Sequence, residues 1–235
     1  SLAQAYYGAD SASHFTPRAG LSASLSKTSS LYALYDQAFM PQSGRLANGR
    51  KVQPITGNNM EIGFKKDWFK SQWSTTFALY QIVKNNELTS DPFSPPASGL
   101  SVELGQKTVQ GAEIDIRGTI IRGLTLIANY AFTDSRVTKV SEGITFIKVG
   151  DIVPGFSRHT ANAWLNYKIS ASALKGLGIS GGITWLGGRA TYWQKSPDPS
   201  KELSDYMKVD GGLFWEGGKL RVTANVFNIT DEYLY

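Results

Sequence analysis

The sequence contains no cysteine, which removes disulfides, thiolate metal sites and cysteine nucleophiles together. Histidine is almost missing: His14 and His159 are the only two, far apart and without a neighbouring carboxylate motif, so no metal site held by protein ligands is expected. Charged residues amount to 18%, against roughly 25% in ordinary soluble domains. No apolar run approaches the roughly 20 residues of a membrane helix, and helical periodicity is nearly absent. The opening Ser1-Leu-Ala-Gln has neither the basic nor the apolar region of a signal peptide. For an exported protein that leads to the expectation of a mature chain or a fragment.

Against these absences stand 235 residues with 12% aromatics, 24 glycines and 41% hydrophobic residues. That content excludes compositional disorder and suits a β protein whose outer surface need not be fully wet. The net charge is +5, but the basic residues are scattered along the sequence, so no nucleic-acid partner is expected. A basic lumen or loop set that attracts an anionic ligand remains open.

Segments of about ten residues alternate between apolar and polar positions and are separated by turn chemistry. Ten strands are predicted, at 18–26, 31–40, 58–67, 72–83, 107–117, 124–133, 158–168, 177–187, 206–215 and 219–228. In GLTLIANYAFTD, Leu124, Leu126, Ala128, Tyr130 and Phe132 share one face, with Ile127 an exception on the other. In GAEIDIRG, Ala112, Ile114 and Ile116 oppose Glu113, Asp115 and Arg117. Alternation alone also fits a soluble sandwich, but the connections discriminate. Links at 27–30, 69–72, 118–123, 170–176 and 217–218 are short, while those at 41–57, 84–106, 134–157 and 188–205 are long. Strict alternation of short and long predicts an antiparallel up-and-down meander with every long loop at one end. That is the pattern of an outer-membrane barrel, with short periplasmic turns, long extracellular loops and a lipid-facing apolar side. Aromatics fall at both strand ends as two girdles would require: Trp68, Phe69, Trp73, Tyr167 and Trp215 by the short turns, and Tyr35, Phe39, Tyr130, Phe132 and Trp185 by the long loops. An even strand count whose first and last strands both meet the long-loop side has the wrong phase for a complete barrel. At least one further strand is expected before residue 1 and one after residue 235, with YYGADSASHF as the tail of another loop.

Several stretches resemble the TonB-dependent siderophore receptors of the outer membrane. FTPRAGLSASLSKTSSLYALYDQAFMPQSG is similar to their mid-barrel Thr-Pro-Arg strand, short turn and Phe-x-Pro strand. GNNMEIGFKKDW with FALYQIVKNNELTSDP resembles the next hairpin. VQGAEIDIRGTIIRGLTLIANYAFTDSRV is the most specific match, to a Gly-x-Glu-x-(Asp/Glu) strand, Gly-Leu turn and Asn-Tyr strand. VPGFSRHTANAWLNYKI and VDGGLFWEGGKLRVTANVFNITDEYLY resemble the late strands and the segment before the closing one. The resemblance covers nearly the whole chain. It implies an all-β chain that is the C-terminal portion of a barrel of about 22 strands, without the plug domain, the first barrel half or the closing strand. It further implies uptake of ferric siderophores across the cell outer membrane, with iron carried only as the chelate and no resident cofactor. The TonB complex would be engaged through the N-terminal region that this chain lacks.

Candidate residues follow from parity, and their roles from the resemblance. Glu61, Lys65, Glu113, Asp115, Arg117, Lys208, Asp210 and Arg221 fall on the polar parity and are expected to line a lumen that docks the plug. Tyr80, on the same parity near a loop, with Phe93, Arg189, Tyr192 and Trp193 in the loops, are the candidate siderophore contacts. No enzyme is expected: Gly178-Ile-Ser180-Gly-Gly182 matches G-x-S-x-G, but a nucleophile elbow needs a strand-to-helix turn. Asn228-Ile-Thr230 fits a glycosylation acceptor and reads as a chance match in a turn. Two rivals are carried forward: a self-standing ten-stranded outer-membrane protein, porin-like or enzymatic, and a secreted ligand-binding sandwich.

Overall fold

The computed structural model describes residues 13–91, 93–170 and 174–234. Most of the YYGADSASHF segment and the terminal Tyr235 lie outside the described residues. The strands in chain order are β1 (Arg18–Ser26), β2 (Ser29–Met40), β3 (Arg45–Leu46), β4 (Ile55–Trp68), β5 (Trp73–Asn85), β6 (Leu88–Ser90), β7 (Leu100–Glu103), β8 (Gln106–Ile121), β9 (Leu124–Lys139), β10 (Ser157–Lys168), β11 (Leu177–Ala190), β12 (Glu202–Leu203), β13 (Tyr206–Gly217) and β14 (Leu220–Val226). Ten long strands form one antiparallel ladder in the order β1-β2-β4-β5-β8-β9-β10-β11-β13-β14, and each is bonded only to its neighbours in that path, apart from β12, which adds to β11. The ladder does not close: β1 pairs with β2 alone and β14 with β13 alone. A self-standing closed ten-strand barrel is thereby excluded.

All ten predicted strands are present, and most run further than their alternation indicated. β9 continues to Lys139 and β11 to Ala190, so the links shrink to 140–156 and 191–205. Three short strands missed by the sequence, β3, β7 and β6, form a separate small sheet above the long-loop ends of the ladder's strands.

Register divides the sheet into two chemically opposite faces. One row of paired residues crosses nine strands as Ser24, Ser30, Lys65, Thr76, Asp115, Asn129, Asn162, Thr184 and Lys208. The adjacent row is Ala23, Leu31, Phe64, Phe77, Ile114, Tyr130, Ala161, Trp185 and Met207. The first is wholly polar, and the second is apolar or aromatic throughout. The apolar face is not covered by protein: Ile62 is 55% exposed, Ile179 57% and Leu213 62%. A sandwich would bury that face against a second sheet, so the secreted-sandwich reading fails. All ten predicted girdle aromatics except Phe69, which sits in a turn, fall on this apolar face by register.

Large rings repeatedly lie over a glycine directly opposite on the next strand. Tyr32 covers Gly63, Tyr80 covers Gly111, Trp164 covers Gly182 and Phe214 covers Gly178 on the polar face. Trp73 covers Gly118 on the apolar face. A Cβ at any of these glycines would fall inside the ring. Close-packed interiors do not absorb such an insertion, which costs ~1–3 kcal/mol. In the complete barrel, Gly182→Val should therefore lower the temperature of the heat-dependent gel-mobility shift, and adding Trp164→Ala should restore part of the loss, the Ala163 carbonyl still lying 2.8 Å from the added Cβ. A Gly182→Val barrel as heat-resistant as the parent would contradict the packing described.

Candidate ligand-binding and lumen-facing site

The eight charged residues read from parity all stand on the polar face. Glu61 and Lys65 lie on β4, Glu113, Asp115 and Arg117 on β8, Lys208 and Asp210 on β13, and Arg221 on β14, in rows that register places on one side. Local partners hold several of them. Tyr32 donates its hydroxyl to Glu61 Oε1 at 2.5 Å, and the Lys65 ammonium lies 5.0 Å from the centroid of the same Tyr32 ring. Lys208 pairs with Asp210 at 3.0 Å, and Asp210 accepts the Asn228 amide at 2.7 Å. Arg221 pairs with Glu216 at 2.8 Å and stacks over Phe214. Glu113, Asp115 and Arg117 have no ion-pair partner among the described residues.

The five candidate ligand contacts are not gathered at one point. Tyr80 is on the polar face, bonded to Thr133 Oγ1 at 2.9 Å. Phe93 projects from its loop, 71% exposed, with its ring centroid 6.0 Å from that of Phe146 in an edge-on arrangement. It lines a cavity of about 530 Å³ between the long loops, together with Arg50, Asp91, Glu103, Glu142 and Ile144. That volume lies in the range of small-molecule sites. Tyr192 is 65% exposed. Arg189 is buried at the end of β11 and donates to the Ser204 carbonyl at 2.8 Å. Trp193 packs against the buried cluster of Leu104, Val137 and Ile147, with the Lys107 ammonium 5.9 Å from its ring. The structure thus gives Arg189 and Trp193 a place within the loop layer's own packing. Ser180 of the G-x-S-x-G match sits mid-strand in β11 and not at a strand-to-helix turn.

Sequence reasoning missed what ties the loops together. Arg136, on the extension of β9, pairs with Asp134 at 2.9 Å and donates to the carbonyls of Gly150 at 3.0 Å and Lys195 at 2.8 Å. Ile152 bridges Arg136 and Gln194 as an added strand-like contact. One arginine therefore fastens two long loops to one strand end. FTDSRVTK carried no such signal: past Phe132 the apolar parity is taken by Asp134, Arg136 and Thr138, and the single apolar residue, Val137, falls on the opposite parity. Glu87 is the second fastening, paired with Lys84 at 3.1 Å and Lys107 at 2.5 Å. Burial pushes its carboxyl up, but the hydrogen bonds and charges of Lys107 and Lys84 outweigh that and hold it below the ordinary carboxylate value.

The sequence matches the model of the family described as TonB dependent receptor-like, beta-barrel, over residues 3–229. It is 29% identical over 160 residues to the ferric-pyoverdine M114 receptor of Pseudomonas sp. (strain M114), covering 66% of this chain and 18% of that protein. It is 28% identical over 221 residues to the metal-pseudopaline receptor of Pseudomonas aeruginosa (strain UCBPP-PA14), covering 94% of this chain and 30% of that protein. The crystal structure of the ferripyoverdine receptor of the Pseudomonas aeruginosa outer membrane superposes with a TM-score of 0.66 and 25% identity, over 94% of this chain and 30% of that one. The chain thus spans less than a third of the length of each of these proteins.

The Glu87 fastening has a pH signature. A carboxyl held low in the folded state stabilises above its unfolded value of ~4.3, and that stability is lost as pH falls through the lower folded value. The Leu104 amide donates to the Glu87 carbonyl at 2.9 Å and reports on it. Hydrogen exchange at Leu104 should accelerate on acidification below about pH 4.3, after correction for intrinsic rates. Glu87→Gln should exchange faster at neutral pH and lose the dependence. An unchanged profile in Glu87→Gln would remove the ion pairs from this account.

Proposed function

This chain belongs to the TonB dependent receptor-like β-barrel family, and from that premise we propose that it is the C-terminal portion of an outer-membrane receptor that imports ferric siderophores. The observation that carries the proposal is the division of one open ten-strand ladder into a polar face bearing all eight parity-predicted charges and an uncovered apolar face bearing the aromatics. In hydrocarbon only a closed barrel satisfies every backbone group, so the unpaired edges of β1 and β14 call for further strands on both sides. The polar face then turns to the lumen, where Glu113, Asp115 and Arg117 are available to a plug domain. The long loops project outward, and Phe93, Tyr192 and the 530 Å³ cavity beside Phe93 offer aromatic and polar contact to a chelate. Arg189 and Trp193 act on the ligand by holding that layer in shape. The receptor is a transporter without catalysis, and its iron arrives inside the siderophore. Energy comes from the TonB complex, reached through the receptor's N-terminal region.

Uptake of radiolabelled ferric pyoverdine, ferrioxamine and ferrichrome by an iron-starved receptor deletion strain, complemented with the full-length gene, tests the reading. At least one chelate should enter only with the gene present and only in a TonB-positive background. Uptake indifferent to both would remove the proposal. Phe93→Ala should weaken binding of the transported chelate about tenfold, the scale of one aromatic contact of ~1.4 kcal/mol, without altering the amount of receptor in the membrane. Orientation is checked separately by single cysteines in this cysteine-free chain: Ser196→Cys in a long loop should react with an impermeant maleimide in intact cells, and Ser71→Cys in a short turn should not.

A further inference from the structure

The cationic residues scattered along the sequence are gathered by the fold at one rim. The five short connections are 27–28, 69–72, 122–123, 169–176 and 218–219. Each holds one cation and no carboxylate: Lys27, Lys70, Arg122, Lys175 and Lys219 in turn. All five are exposed, and none forms an ion pair among the described residues. The five equal in number the chain's excess of cations, 24 lysines and arginines against 19 acidic residues. In the long loops Lys201 is paired with Asp198, while Lys148 and Lys195 form no ion pair among the described residues.

The rim also adjoins the apolar face at the depth of its lower aromatics. Lys66, a cation at the turn end of that largely apolar face, lies 5.6 Å from the Trp68 ring and donates to Thr28 at 2.8 Å. A long basic side chain lying along an aromatic ring with its head at the turn is the arrangement that snorkels into an interface. Trp73, Tyr167 and Trp215 stand on the same face by the same turns.

We infer that the short-turn rim is a contact surface for anionic phospholipid headgroups of the leaflet that faces the periplasm. The aromatics fix the depth of the turns at the headgroup level, and one unpaired cation per hairpin meets the phosphates there. Charge attraction at a bilayer surface is worth about a fivefold gain in affinity per basic residue and is screened within a Debye length of ~10 Å at 0.1 M salt. Spacing the cations one per turn gives every hairpin its own headgroup partner. The inference rests on the proposed orientation, with short turns on the periplasmic side.

The test is native mass spectrometry of the full-length receptor extracted with equal phosphatidylethanolamine and phosphatidylglycerol. The parent should retain phosphatidylglycerol in preference, and added salt should erase that preference. A variant carrying Lys27→Gln, Lys70→Gln, Arg122→Gln, Lys175→Gln and Lys219→Gln should show none. A control carrying Lys148→Gln, Lys195→Gln and Lys201→Gln should retain it. A parent without preference, a preference that resists salt, a five-residue variant that keeps it, or a control that loses it would each overturn the inference. If the five-residue variant does not assemble, the salt response of the parent and single Gln variants, each expected to lower retention up to about fivefold, decide instead. A parent that shows no lipid preference while its rim cross-links to an acidic periplasmic protein would assign the surface to that protein and also overturn the lipid contact. Maleimide labelling of Ser71→Cys in intact cells would instead unseat the orientation, and with it the functional reading.

Discussion

Backbone N–H and C=O groups placed in hydrocarbon must all be paired, and in the proposed receptor the antiparallel ladder is how this chain pairs them, save at the open edges of β1 and β14. Everything else descends from that ladder. Because side chains alternate with a period of two, pairing the backbones also sorts the side chains. A row reading Ser30, Lys65, Thr76, Asp115, Asn129 can lie beside one reading Leu31, Phe64, Phe77, Ile114, Tyr130 only if no strand slips by a single residue. The burial economy of a soluble protein is inverted as a result. Large apolar residues stay exposed to the lipid side, and little hydrophobic core forms between the strands.

The core forms instead where the ladder rises out of the membrane. Leu104, Val137 and Ile147 are buried together among the long loops, with Phe146, Val153 and Trp193 against them. There the protein meets water, and ordinary hydrophobic packing applies again. The loops are consequently folded objects with their own small sheet, fastened by Arg136 and Glu87 to the strands below. On the proposed reading, a ligand approaching from outside would meet a packed loop layer from which Phe93 and Tyr192 project, and the order of that layer would reduce the cost of binding.

The legible part of the sequence was the part governed by period two. The strands, the two faces, the eight polar-face charges and the facing of nine of the ten girdle aromatics all follow from counting odd and even positions. Phe69 escapes because its turn has left-handed backbone at Phe69, Lys70 and Ser71, where parity has no meaning. The loop layer was illegible for a related reason. β3 and β12 are two residues each, too short to show any period. The direction of Arg189 or Trp193 is set by partners distant in sequence, namely Ser204 and Val137. Arg136 was hidden in the same way, since Asp134 and Arg136 occupy the parity that Tyr130 and Phe132 held and the alternation of β9 ends before its strand does.

The rings laid over glycines solve a problem that alternation leaves open. A slip of one residue turns a strand inside out and is self-correcting, but a slip of two keeps every side chain on its proper face. Hydropathy cannot see that error. The rings can: a slip of two would bring Glu61 or Lys65 beneath Tyr32 in place of Gly63, Val109 or Glu113 beneath Tyr80 in place of Gly111, and Ser180 or Thr184 beneath Trp164 in place of Gly182. Each hairpin interface with such a pair therefore carries its own proofreading mark. A barrel assembled strand by strand is checked for shear at every interface that carries such a pair, before the final seam has to meet.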